Sequence, residues 1–152
     1  MIKTKKILGV GAGFTLIEIL VVIGIIAVLA AVVLVAINPA RQFKLARDSQ
    51  RMSNVTAILN AVGQNIAENK GLFKCDVSLP TASTTISNDT LDIAICLVPN
   101  YIGSLPYDPS ANGARWNSTD DYDTHYYIKE DNDGRVTVSA VGEITKDISV
   151  TR

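Results

Sequence analysis

Histidine occurs once in this sequence, at position 125, and cysteine twice, at positions 75 and 96. One imidazole cannot build a histidine-rich metal centre, and no nucleophile motif lies near His125, so a structural or surface role is expected for it rather than catalysis. Charge of one sign is not in excess either: 14 Lys plus Arg face 15 Asp plus Glu. There is no internal repeat. The glycine-rich "GVGAG" near the N-terminus is not a dinucleotide loop, because no strand precedes it and a long apolar segment follows. Sequons at Asn54, Asn88 and Asn117 are short patterns that decide nothing here.

The most informative scarcity is local. Residues 14–37 contain a single charged side chain, Glu18. At 1.5 Å per residue this run makes a helix of roughly 36 Å, enough to cross a hydrocarbon core of about 30 Å. Gly24, Ala27, Ala30 and Ala31 within it permit close approach between helices. Ahead of the run stand Lys3, Lys5 and Lys6 and then Gly9, Gly11 and Gly13. This order resembles a targeting segment, but the small-residue site precedes the apolar run instead of following it. Cleavage at Gly13 would therefore leave the apolar helix in the mature chain. Basic residues flank both ends of the run, so charge alone does not orient it across a membrane.

Asn38 and Pro39 interrupt the run and predict a kink or local loosening, because proline has no amide hydrogen and disfavours a helical residue before it. Beyond them Leu45, Met52, Val55, Leu59, Val62 and Ile66 recur at helical spacing, giving one apolar face that needs a covering layer. Asn69, Lys70 and Gly71 signal the helix end. Downstream, "HYYIKEDNDGRVTVSAV" reads as two alternating strands joined by an Asp-Gly turn, so a small antiparallel sheet packed on the helix is expected. The fold class is α+β.

Residues 71–152 carry 12 acidic against 6 basic side chains, while Arg41, Lys44, Arg47 and Arg51 stand toward one side of the preceding helix. That basic stripe is expected to be solvated or to face lipid headgroups; acidic heads and DNA are its other conceivable partners, although no aromatic residue interleaves with it. Cys75 and Cys96 both fall in the small head. They form either a disulfide, suited to a small domain outside the cytoplasm, or two buried thiols. Asp120, Asp121, Asp123, Asp131 and Asp133 offer oxygen ligands for calcium, but the full calcium-loop spacing is missing, and the stretch 131–134 reads first as a hairpin turn.

"GFTLIE", residues 13–18, behind a short lysine-bearing leader and ahead of an apolar helix, resembles the N-terminus of type IV pilins and pseudopilins. The resemblance implies that a membrane aspartic peptidase cuts after Gly13 and methylates the new amine of Phe14. It further implies a homopolymeric filament raised by an inner-membrane assembly platform and its ATPase, serving adhesion, motility, DNA uptake or secretion, with neither enzymatic activity nor a cofactor. In the head, "LVPNYIGSLPYDPSANG" followed by "HYYIKEDNDGRVTV" resembles major pseudopilins and related pilins, in which an "LP.DP" turn precedes the sheet and calcium is bound nearby in some members. Pro39 sits slightly later than the helix-breaking proline of that family.

Elementary chemistry gives the same residues work. Gly13 lets a protease approach the backbone closely. An ionised Glu18 is costly in hydrocarbon unless an ammonium meets it, and cleavage creates one at Phe14 of a neighbouring copy. The pair then favours one helix stagger over others, whereas an unpaired acid would snorkel or protonate. The expected organisation is a leader at 1–13, a membrane and assembly segment at 14–37, an amphipathic helical segment at 38–70 and a head at 71–152. The chain would pass once through the bacterial cytoplasmic membrane, with the head outside. Its alternatives are a type II secretion pseudopilin or, from another class, an enzyme or binding domain on an anchor.

Overall fold

A computed structural model describes residues 13–152. The leader residues 1–12, including Lys3, Lys5, Lys6, Gly9 and Gly11, lie outside the described residues. The chain divides into two compact units, Met1–Pro39 and Ala40–Arg152.

The described part of the first unit is essentially one helix, α1 (Leu16–Ile37), of 22 residues. It begins where Thr15 adopts an extended conformation (φ −83°, ψ 149°) and its hydroxyl accepts the Glu18 amide. It ends at Asn38, which takes the left-handed conformation (φ 46°) that asparagine tolerates better than most residues. The expected interruption is thus a helix stop at Asn38. Pro39 then opens the next helix, at the position where a missing amide hydrogen costs nothing. At 22 residues α1 is about 33 Å long. None of its side chains is buried, and it is long and apolar enough to span a membrane.

In the second unit, α2 (Pro39–Glu68) shares one core with a five-stranded antiparallel sheet. The strands are β1 (Thr84–Ser87), β2 (Arg115–Ser118), β3 (Asp121–Glu130), β4 (Val136–Val141) and β5 (Asp147–Thr151), and a one-turn helix α3 (Ala94–Leu97) lies between β1 and β2. The sheet order is β1-β3-β4-β5, with β2 also paired to β3. Alternation sets the inner face: Tyr122, Thr124, Tyr126 and Ile128 of β3 and Val136, Val138 and Ala140 of β4 are buried, their neighbours less so. Along α2 the buried stripe is Asp48, Arg51, Val55, Ile58, Leu59, Ala61, Val62 and Asn65. Ile66 is partly covered and Leu45 intermediate, but Met52, expected on the apolar face, is 42% exposed. The amphipathic helix therefore belongs to the same compact unit as the head it covers.

The helix ends as its sequence suggests, with one shift of role. Lys70 (φ 60°) and Gly71 (φ 87°) are both left-handed, and the Gly71 amide donates to the Ile66 carbonyl at 2.9 Å, closing the last turn. The β3–β4 hairpin is present but its connection is longer than a two-residue Asp-Gly turn. Glu130 faces Val136 across the ladder, the Asp131 amide donates to the Arg135 carbonyl at 2.9 Å, and the Gly134 amide donates to the Asp131 carbonyl at 3.0 Å. Gly134 takes the left-handed position (φ 76°) that such a bulged turn requires. Cys75 and Cys96 are joined as a disulfide, tying the segment after α2 to α3.

Candidate assembly site

Gly13 is exposed, has an ordinary φ, and a Cβ built on it would meet nothing within 4 Å among the described residues. Neither packing nor backbone conformation within those residues requires glycine there. Phe14 is 78% exposed.

Glu18 is fixed by the local geometry around Thr15. The Glu18 amide donates to the Thr15 hydroxyl at 3.2 Å and to its carbonyl at 3.1 Å, and the Ile19 amide donates to the same carbonyl at 3.3 Å. Thr15 is thus the helix cap and Glu18 stands in the first turn, the spacing of a capping box and the end at which the helix dipole favours a negative charge. Thr-x-x-Glu was a legible capping signal at 15–18 that reading for the membrane run alone passes over. The Glu18 carboxylate has no cationic partner among the described residues. Around it every side chain of α1 is uncovered, Ile23 at 59% and Leu29 at 60% exposure among them.

A second cluster ties α2 to the loops of the head. Arg51, 3% exposed, donates from Nε to Asp108 Oδ2 at 2.6 Å and from Nη2 to Asp108 Oδ1 at 2.9 Å. Its Nη1 donates to Asp48 Oδ1 at 2.8 Å and to Glu143 Oε1 at 3.3 Å. Arg47 grips both Glu143 oxygens at 2.6 Å. Asp48 in turn accepts the amides of Glu143, Ile144 and Thr145 at 2.8, 2.8 and 3.0 Å, clamping the β4–β5 loop onto the helix. The loop comes close enough that a Cβ on Gly142 would collide with the Thr145 carbonyl and lie 3.0 Å from Asp48 Oδ1. Asp108 is the acid of the "LPYDP" segment; its Oδ1 also accepts the amides of Ser110 and Ala111, both at 2.8 Å.

The electrostatics follow from these contacts. The Asp108 hydrogen bonds hold Arg51 firmly protonated in spite of its burial. Burial alone would raise Asp48, but the Thr145, Glu143 and Ile144 amides and the Arg51 guanidinium outweigh it and hold the carboxyl well below its usual range. Asp108 is lowered in the same way, with burial opposed by Arg51 and the loop amides. The Arg47 hydrogen bonds bring Glu143 down to about 2.

This cluster corrects the expectation of a solvated basic stripe. Arg47 and Arg51 turn toward the head and are neutralised there, so they are not offered to lipid phosphates or DNA; Lys44 remains exposed. Of the acidic residues considered as calcium ligands, Asp131 accepts the Asp133 and Arg135 amides at 2.9 Å through Oδ1 and the Arg135 guanidinium at 2.9 Å through Oδ2. Asp133 lies 3.5 Å from the same guanidinium. Asp121 pairs with Arg115 at 2.7 Å, Asp123 lies 3.5 Å from His125, and the Asp120 amide bonds the Ser118 hydroxyl. Among the described residues no group of three or more His, Cys, Asp or Glu is arranged to hold a metal ion.

Compared with known proteins, residues 11–34 match the model of the prokaryotic N-terminal methylation motif. No curated protein and no solved structure matches the chain.

Proposed function

We propose that this chain, which is of the type IV prepilin and pseudopilin family by its N-terminal motif, is a structural subunit of a type IV pilus-like filament, working by assembly and not by catalysis. A prepilin peptidase cuts after Gly13 and the new amine of Phe14 is methylated. Before assembly the subunit waits in the cytoplasmic membrane on α1, with the unit Ala40–Arg152 outside. An assembly platform and its ATPase then move α1 from lipid into a bundle of other copies' helices, so its apolar surface stays out of water throughout.

The observation that carries this reading is Glu18: one carboxylate on an otherwise uncharged helix, without a cationic partner among the described residues. An ionised acid at the centre of a membrane helix costs about 2.5–3.5 kcal/mol on insertion scales, and less near the end of the span where Glu18 lies. The Phe14 ammonium of an adjacent copy offsets that cost only when the two helices are staggered so that the charges meet. Other staggers leave both groups unpaired, which makes the pair a register mark for the polymer.

The test is Glu18→Ala in the producing cell. The variant is expected to reach the membrane and be processed but to yield no filaments. Normal filament yield from Glu18→Ala would overturn the proposal. A second reading, a pseudopilin of a type II secretion system, is favoured by the "LPYDP" segment that presents Asp108 to Arg51. Short periplasmic filaments and a secretion defect on deletion would select it over a long surface pilus.

A further inference from the structure

A cleft of about 430 Å³ opens on the second unit between α2 and the "LPYDP" loop, lined by Gln50, Asn54, Ser104, Tyr107 and Trp116 together with Leu105 and two prolines. It contains two aromatic rings, amide and hydroxyl groups, and no ionised side chain. Charged side chains beside it are already consumed, since Arg51 and Asp108 bond each other.

The Trp116 ring and the Tyr107 backbone are held in place. Trp116 packs against the buried ring of Tyr122 with centroids 5.4 Å apart. Tyr107 stands 45% exposed between Pro106 and Pro109, and its carbonyl accepts the Asn54 side-chain amide at 3.2 Å. Leu105, 1% exposed, fixes the loop beneath. Apart from the Asn54 Nδ2, which donates to the Tyr107 carbonyl and the Tyr126 hydroxyl, the polar groups at the cleft are uncommitted. Among the described residues, the Gln50 amide, the Ser104 and Tyr107 hydroxyls, the Trp116 indole N–H and the Asn54 Oδ1 make no side-chain hydrogen bond. Two aromatic side chains beside neutral donors and acceptors suit a ligand with one apolar C–H face and a rim of hydroxyls, and offer nothing to an ion.

We infer that this cleft binds a neutral sugar, one or two hexose units stacked on Tyr107 and Trp116 with hydroxyls bonded to Gln50, Asn54 and Ser104. This goes beyond the filament role and does not depend on it. The site is shallow and its polar groups are solvated before binding, so dissociation constants on the order of millimolar are expected for monosaccharides.

Trp116 is the sole tryptophan of the chain, which makes its emission a direct reporter of the cleft. The experiment titrates full-length protein, held in a detergent without a sugar headgroup such as a dodecyl amine oxide. The titrants are the methyl glycosides of glucose, galactose and mannose and N-acetylglucosamine, with sialic acid as a charged control. A saturable change in Trp116 emission is expected with at least one neutral sugar and none with sialic acid. Saturation-transfer NMR, which needs no tryptophan, then follows the same sugar with Tyr107→Ala and Trp116→Ala. Tyr107→Ala, an exposed position that leaves the core intact, is expected to weaken binding about tenfold or more. Absence of any saturable response to all four neutral sugars would overturn the inference. So would a response that Tyr107→Ala leaves unchanged, or a stronger response to sialic acid, either of which would place binding elsewhere or assign the cleft to charged ligands.

Discussion

Replacing Arg51 by alanine removes a cation that touches three carboxylates at once, namely Asp108, Asp48 and Glu143. Asp48 and Asp108 are each 6% exposed and would keep their loop amides but lose the guanidinium that neutralises them. Removing one partner of a buried ion pair costs about 3–5 kcal/mol; Glu143 is partly open to water, so about 3 kcal/mol is the reasonable figure here. For a compact unit of this size that corresponds to a fall of about 10 °C in melting temperature. The pH dependence gives the sharper signature. In the native chain the folded-state pKa values of Asp48, Asp108 and Glu143 lie below their ordinary values, Glu143 at about 2. Their contribution is therefore fully present above the ordinary carboxylate range and is lost as pH falls through about 4 toward 2. Arg51→Ala removes the largest lowering contact of Asp108 and lesser ones of Glu143 and Asp48, so the variant's stability deficit should be greatest at pH 7 and shrink as pH falls toward 2.5. Thermal unfolding by circular dichroism of both proteins across pH 2.5–7 checks this. A difference in melting temperature that stays constant with pH would refute the charge argument and leave only lost packing.

Two further substitutions test the parts of the fold that hold the head. Reducing Cys75–Cys96, or replacing both by serine, opens a loop with sequence separation 21 and is expected to destabilise the head by about 3 kcal/mol, read as a lower urea midpoint with an intact secondary-structure spectrum. Gly142→Ala forces the β4–β5 loop away from the Thr145 carbonyl and Asp48. It should cost at least about 2 kcal/mol and expose the Glu143, Ile144 and Thr145 amides to faster hydrogen exchange; unchanged exchange at those amides would show that the loop is not clamped as described.

What could be read from the sequence follows the range of the interactions involved. The uncharged run 14–37 is a local property, and α1 occupies it almost to the residue. Alternation along β3 and β4 is equally local, and so is the stop at Lys70 and Gly71. The charge clamp is not. Arg51 meets Asp108 and Glu143 across separations of 57 and 92 residues, and a helical projection that shows Arg41, Lys44, Arg47 and Arg51 together gives no hint of partners so far along the chain. One signal was present nonetheless. Asp48 and Arg51 continue the spacing of Val55, Ile58 and Val62 by steps of three and four, so the buried stripe runs straight through two charges. Opposite charges in register with an apolar face mark an inward pair, not a solvated one. Met52 shows the converse: it sits at the edge of that stripe and is left 42% exposed. The cleft beside Tyr107 and Trp116 was not legible, because its walls come from α2, the "LPYDP" loop and β2, which only the folded topology brings together.

In the proposed assembly a matured N-terminus supplies the charge that Glu18 lacks. Mass spectrometry of filaments sheared from the cell surface tests this most directly. Chains beginning at an N-methylated Phe14 are expected in the polymer. Polymer chains that still begin at Met1, or at an unmodified residue other than Phe14, would contradict it.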